Sequence, residues 1–138
     1  MTQAINTDTD TILEVLNEKA DRDCQNVDTN SGADAVIDYQ LPTSSNGYRW
    51  YRLYKSGWIE QGGLQNSNTG AVGVTVYFLK SFNDTNYTIT ATVSEEQIYF
   101  VGCLNKTKTS FLWRSVNTSN QGYDKSGSWY ACGMVEQS

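Results

Sequence analysis

The sequence predicts an all-β protein: an antiparallel β-sandwich of about seven short strands, preceded by a short helical or coiled-coil stalk. Three observations carry this. From Tyr48 onward, residues alternate with a period of two, as in strands with one buried and one wet face. Polar, glycine-bearing turns separate these runs, and the single proline, Pro42, lies outside them, leaving every strand free to pair. Of 17 aromatic residues, only Tyr39 precedes Tyr48. The 138 residues suit one domain with a short appendage, long enough to bury a core without disulfides or metal.

Charge divides the chain in the same way. Residues 1–42 hold nine acidic and two basic side chains, a net −7, whereas residues 43–138 hold eight basic and six acidic, a net +2. An acidic leader thus precedes an aromatic-rich body.

Residues 1–23 read as the stalk. Thr9 or Asp10 can cap a helix, because their side-chain oxygens accept the unpaired N–H groups of a first turn. Ile5, Ile12 and Leu16 then form one apolar stripe. An isolated helix shorter than about 12–15 residues is marginal in water, so the stripe needs a partner. Self-association as a short coiled coil is the expectation, with these three residues as the oligomerisation positions. Residues 24–47 read as a linker rich in turn-formers, with room for one short strand at Ala35-Val36-Ile37.

The body, residues 48–138, holds the predicted strands. Tyr48–Tyr54 and Trp58–Gly63 form a hairpin across Lys55-Ser56-Gly57, where Gly57 can take positive φ. Val72–Phe78 and Tyr87–Val93 follow, the second alternating cleanly with Thr88, Thr90 and Thr92. Gln97–Leu104, Thr109–Val116 and Ser128–Val135 complete the set of seven, a pattern expected of a sandwich.

Several function classes are excluded by composition. The chain has no His, so it carries no Ser-His-Asp or Cys-His nucleophile pair and no His-ligated zinc or haem iron. Cys24, Cys103 and Cys132 are odd in number and lack CxxC spacing; they read as free thiols, with no metal site and no cofactor expected. A pI near 4.5 argues against nucleic-acid binding. No apolar run approaches the roughly 18 residues of a membrane span. The opening Met1-Thr2-Gln3-Ala4 lacks the basic and apolar regions of a secretory signal, so the Asn-x-Ser/Thr sequons at Asn83, Asn86, Asn105 and Asn117 are expected to be unused.

One string is specific: Tyr48-Arg49-Trp50-Tyr51-Arg52-Leu53-Tyr54-Lys55-Ser56-Gly57-Trp58-Ile59-Glu60-Gln61-Gly62-Gly63. It is an aromatic hairpin ending in two glycines, which permit a bulge or close backbone approach. Trp50, Tyr54, Gly57, Trp58, Ile59, Glu60, Gln61, Gly62 and Gly63 are read as structural. The string resembles the opening hairpin of the C-terminal domains of bacteriophage tail fibres. Further matches follow in order: Val74 to Tyr87 resembles an apolar strand followed by a Phe, Asp, Thr, Tyr turn, and Ser128 to Gly133 resembles a closing strand. Glu18 to Val27 is similar to a string of fibre shafts, with Cys24 where Leu is usual. The resemblance covers most of residues 18–135. It implies a homotrimeric tip of a phage or prophage fibre, a virion component made in the host cytoplasm, that adheres to a bacterial surface polysaccharide or outer-surface protein. It carries over no catalytic residue.

The best candidate binding residues lie in the connection after Val116: Asn120, Gln121, Tyr123, Asp124 and Lys125. A sugar site wants a ring for stacking and amide or carboxylate groups for hydroxyls, and loops at the end of a rigid sandwich commonly carry binding. Gln65 and Asn66, after the hairpin, are a second candidate. Trp113 reads as core, with a stacking platform beside Arg114 as the alternative. Two other functions remain open. A glycan-cleaving tip would pair Glu60 with Glu95 or Asp124, since glycosidases need two carboxyls about 5 Å or about 6.5–9.5 Å apart. A structural cap would nucleate assembly and touch no receptor.

Overall fold

The computed structural model describes residues 34–66 and 70–136. The expected stalk and its residues Ile5, Ile12 and Leu16 lie outside the described residues. Among those described, the fold is all-β, with nine strands: β1 (Val36–Gln40), β2 (Trp50–Tyr54), β3 (Trp58–Gln65), β4 (Val74–Tyr77), β5 (Thr88–Val93), β6 (Phe100–Leu104), β7 (Ser110–Val116), β8 (Gly122–Tyr123) and β9 (Gly127–Met134). One sheet has the order β1-β2-β3-β9-β5; the other has the order β4-β7-β6, with β8 paired to β7. Every pairing is antiparallel.

All seven strands expected in the body are present. The two extra are β1, in the stretch read as linker, and the two-residue β8, inside the connection read as a loop. β1 adds to the edge of the larger sheet, with Gln40 opposite Tyr51 and Val36 opposite Tyr54.

The core forms between the sheets because each strand turns its apolar positions the same way. Tyr51, Ile59, Trp129 and Ala131 face inward from one sheet, and Val76, Phe111 and Trp113 from the other. The link between β4 and β5 fills the remaining space with rings. Phe78 meets Phe82 and Tyr87 edge-on at 4.9 and 5.1 Å, and Phe82 stacks on Tyr87 at 4.2 Å. Asp84 organises this turn as its position suggested: its Oδ1 accepts the Asn86 N–H at 2.7 Å.

The expected hairpin turn is also present. Gly57 has φ 91° and its N–H donates to the Tyr54 carbonyl at 2.9 Å. At Gly62 the pairing runs on without a bulge, and close approach explains the glycine. A Cβ there would stand 2.6 Å from the Trp129 carbonyl oxygen and 2.9 Å from Trp50 Nε1. Gln61, on the inward face, is fully buried. Its Nε2 donates to the Lys80 carbonyl at 2.8 Å, and its Oε1 accepts the N–H groups of Leu79 and Lys80 at 3.0 and 3.2 Å.

The two ends of the sandwich differ. The chain comes in at the end marked by Asp34, whose carboxylate accepts the Ser56 N–H at 2.9 Å. It leaves at the same end, where Val135 N–H donates to Gly57 and Glu136 N–H to Ser81. Four connections pass between the sheets, and three of them, those that follow β3, β5 and β7, leave their strands at the opposite, far end. A crossing must span the roughly 10 Å between packed sheets, so it is longer than a hairpin turn. The far end is loop-rich for that reason.

Candidate functional site

The far-end loops are built from short polar side chains that fix the backbone. Asn117 is the hub of the connection after β7. Its Oδ1 accepts N–H groups from Ser119 and Gln121 at 3.0 and 2.9 Å, and its Nδ2 donates to Gln121 Oε1 at 2.9 Å. Asn120 takes the left-handed conformation, φ 61°. Ser115, fully buried at the end of β7, holds the return: its hydroxyl donates to the Tyr123 carbonyl and accepts the Lys125 N–H at 3.2 Å. Gly122 lies so close to the 70–73 loop that a Cβ would fall 1.9 Å from the Ala71 oxygen. Arg114, once a candidate platform neighbour, is a tie: its Nε donates to the Ala71 carbonyl at 3.3 Å and its Nη2 to that of Asn120 at 3.5 Å.

A second loop, between β5 and β6, completes the site. Glu95 accepts both the N–H and the hydroxyl of Ser126, at 3.2 and 3.1 Å, and Ser94 N–H donates to the Ser126 carbonyl. This joins residues 94–99 to the 117–126 connection. Tyr99 then lies 5.5 Å from the Tyr123 ring, with Lys125 Nζ 4.4 Å over its centroid. Its hydroxyl donates to Gln97 Oε1 at 3.0 Å. Glu95, Glu96, Gln97, Tyr99 and Lys125 line a polar concavity of about 390 Å³. It offers a ring face, an ammonium, carboxylates and an amide within one hollow, a donor and acceptor set suited to a hydroxyl-rich ligand.

The fold thus brings Tyr123 and Lys125 to one feature, with Asn120, Gln121 and Asp124 in the same loop. The Gln121 amide is engaged by Asn117, so it braces that loop. Gln65 pairs with Gly127, which pairs with Val93, so it is at the same end but two strands away, about 10 Å across the sheet. Its Nε2 donates to the Asn66 carbonyl at 3.2 Å. Sequence reasoning missed Tyr99 and Gln97 because both were assigned to a strand; β6 starts at Phe100. Trp113 is fully buried and belongs to the core.

The carboxylates do not form the pairs considered. Glu60 lies on β3 opposite Cys132, and accepts hydroxyls from Tyr54 at 2.9 Å and Tyr130 at 2.7 Å. Those bonds and burial raise the pKa of both phenols, holding them neutral. Glu95 is bonded to Ser126, six residues along from Cys132. At about 3.3 Å per residue this is roughly 20 Å, well beyond either glycosidase spacing. Asp124 lies at that same far end, beside Tyr123 in register with Ser115. Among the described residues no group of three or more Cys, Asp and Glu side chains is placed to hold a metal, and no helix is long and apolar enough to cross a membrane.

Fold and site together define an all-β sandwich domain that takes its chain in at one end and displays polar loops at the other. Within that class, the chain belongs to the tail-fibre family described as "Putative tail fiber protein gp53-like, C-terminal", whose model matches residues 52–134. The hairpin from Arg52 onward, the Phe82–Tyr87 turn and the closing strand Ser128–Gly133 fall inside the match. Among solved structures, the chain is similar to the R2 pyocin fibre of P. aeruginosa, at 17% identity and a TM-score of 0.50 over 72% of this chain and 26% of that one. It is also similar to an N-truncated R1-type pyocin tail fibre, at 14% identity and a TM-score of 0.48 over 76% of this chain and 91% of that one. The first likeness is one of fold, and this chain spans only about a quarter of that structure. No curated protein sequence matches.

Proposed function

We propose that this chain is the non-catalytic receptor-binding tip of a phage or phage-like tail fibre. It adheres as a homotrimer to a bacterial surface glycan or protein through the far-end loops. In this reading it is part of the virion, at the distal end of the fibre, and is made in the host cytoplasm. The observation that carries the proposal is the polar hollow of Tyr99, Lys125 and Glu95–Gln97, with Tyr123 beside it, at the end opposite Asp34. Loops presented by a rigid scaffold, remote from the point of attachment, are where recognition is commonly placed. Three copies would raise weak single-site affinity through effective concentration.

The test is cell binding by fluorescently labelled protein across a panel of bacterial strains. Tyr99→Ala and Lys125→Ala should each weaken binding to a positive strain at least about tenfold, the scale of one lost stacking or charged contact of roughly 1.4 kcal/mol. Their thermal midpoints should stay near that of the parent. Full binding by both variants would refute the location. Incubation with capsule from the bound strain should release no new reducing ends; sustained release would favour the cleaving tip instead.

A further inference from the structure

We propose that the side of the domain carries a second glycan site, separate from the far-end hollow, that takes an acidic sugar. It is the hollow over β1 and β2, with Tyr39 and Trp50 for the sugar ring and Arg52 for its carboxylate. The proposal does not rest on the far-end loops and would stand if they bound nothing.

Strand register places these residues together. Tyr39 on β1 lies directly opposite Arg52 on β2. Paired positions of this kind leave the same face with Cβ atoms about 4.5–5.5 Å apart. Trp50 is two residues from Arg52 and shares that face, because Tyr51 between them points into the core. With Val36 and Leu41 they line a hollow of about 320 Å³. That is near the lower end of the roughly 300–1,000 Å³ of small-ligand sites, so it suits a short stretch of glycan. Tyr39 is 62% exposed, so its ring is open to a ligand.

The indole wall is fixed by the sheet beneath it. Trp50 lies against Gly62, its partner on β3, where a Cβ would stand 2.9 Å from Nε1 and 3.0 Å from Cε2. Tyr130 flanks it with ring centroids 6.0 Å apart. A ring braced in this way loses little freedom when a ligand stacks on it.

Charge decides the occupant. Arg52 is exposed, with its guanidinium 5.8 Å from the Trp50 ring centroid. It makes no ion pair among the described residues. Glu60, opposite it on β3, uses both carboxylate oxygens to accept the Tyr54 and Tyr130 hydroxyls. An occupant without an anionic group would strip water from the guanidinium and return nothing. The planar fork of arginine matches a carboxylate. Because the guanidinium adjoins the rings, the acid must be attached directly to the stacked sugar, as in a uronic acid. The far-end hollow, with Glu95 and Glu96 against Lys125, has the opposite sign, so the two sites read different groups.

Calorimetric titration of the full chain with oligogalacturonate and with oligoguluronate tests this. The methyl esters of the same oligomers keep the rings and remove the charge. The parent should bind at least one acid about tenfold more tightly than its ester, the scale of one charged contact. Arg52→Gln should abolish that preference, and Arg52→Lys should keep part of it. Tyr39→Ala should weaken acid and ester by a similar factor. Tyr99→Ala, at the far end, should change neither. If Tyr39→Ala loses its strand circular dichroism, the two Arg52 variants decide. Equal affinity for acid and ester, or no binding of either acid, overturns the proposal. A preference that survives Arg52→Gln overturns it, and one lost in Tyr99→Ala moves the acid to the far end and overturns it too. Sedimentation velocity supplies the last arm: a changed oligomeric state in Arg52→Gln would mean that another copy covers the hollow, which also overturns the proposal.

Discussion

Gln61 and Tyr87 show how single polar groups are kept inside the aromatic core. Gln61 satisfies one carbonyl and two N–H groups of Leu79 and Lys80. Gln61→Leu fills similar space but orphans all three, so urea unfolding should report a loss of about 2–3 kcal/mol. Tyr87 donates its hydroxyl toward the carbonyls of Thr107 and Ser110, at 2.9 and 3.2 Å. Burial pushes its pKa from 10.0 up to about 12. A raised phenol pKa means that the neutral form is favoured in the fold. Its contribution is complete below pH 10 and is lost as pH rises through about 12. Tyr87→Phe should therefore cost about 1 kcal/mol at neutral pH and flatten the alkaline arm of a stability profile. The glutamine's role was not legible from its position in an apolar strand, because its partners lie 18 and 19 residues away on a link whose path the sequence does not reveal.

The elements themselves were largely legible, because a period of two and a glycine-bearing turn act locally. Gly57 is the clearest case, its positive φ following from turn chemistry alone. β8 was not legible, since two residues carry no period. Tyr99 was missed for the opposite reason: alternation was continued three residues too far ahead of Phe100. The connection between β7 and β9 depends on a close approach that only glycine permits. Gly122→Ala would press a Cβ into the Ala71 carbonyl. It should displace the 117–126 loop, weaken cell binding and raise amide exchange there, while protection in β3 and β9 is kept.

Across the molecule, the sequence predicts that strands stack into a sandwich, but not that three of the four crossings leave their strands at one end. That placement gathers residues 95–99 and 123–125, about two dozen positions apart, into one hollow. β1 escaped a firm reading because Asp38 and Tyr39 interrupt its apolar run. Its place in the sheet depends on tertiary bonds such as Tyr51 Oη to Asp38 at 2.9 Å. That hydrogen bond holds the Asp38 pKa below 3.8, so its stabilising effect is present above that value and fades as pH falls below it. Asp38→Asn should lessen the acid sensitivity seen in urea titrations. β1 also has a mechanical consequence. Were the far-end loops held on a cell in flowing liquid, as proposed above, the domain would be pulled between Asp34 and those loops. That tension runs along the strands, across hydrogen bonds that lie perpendicular to them. The β1–β2 bonds would then be loaded together in shear rather than opened one after another, so the joint yields only when the row fails as a unit.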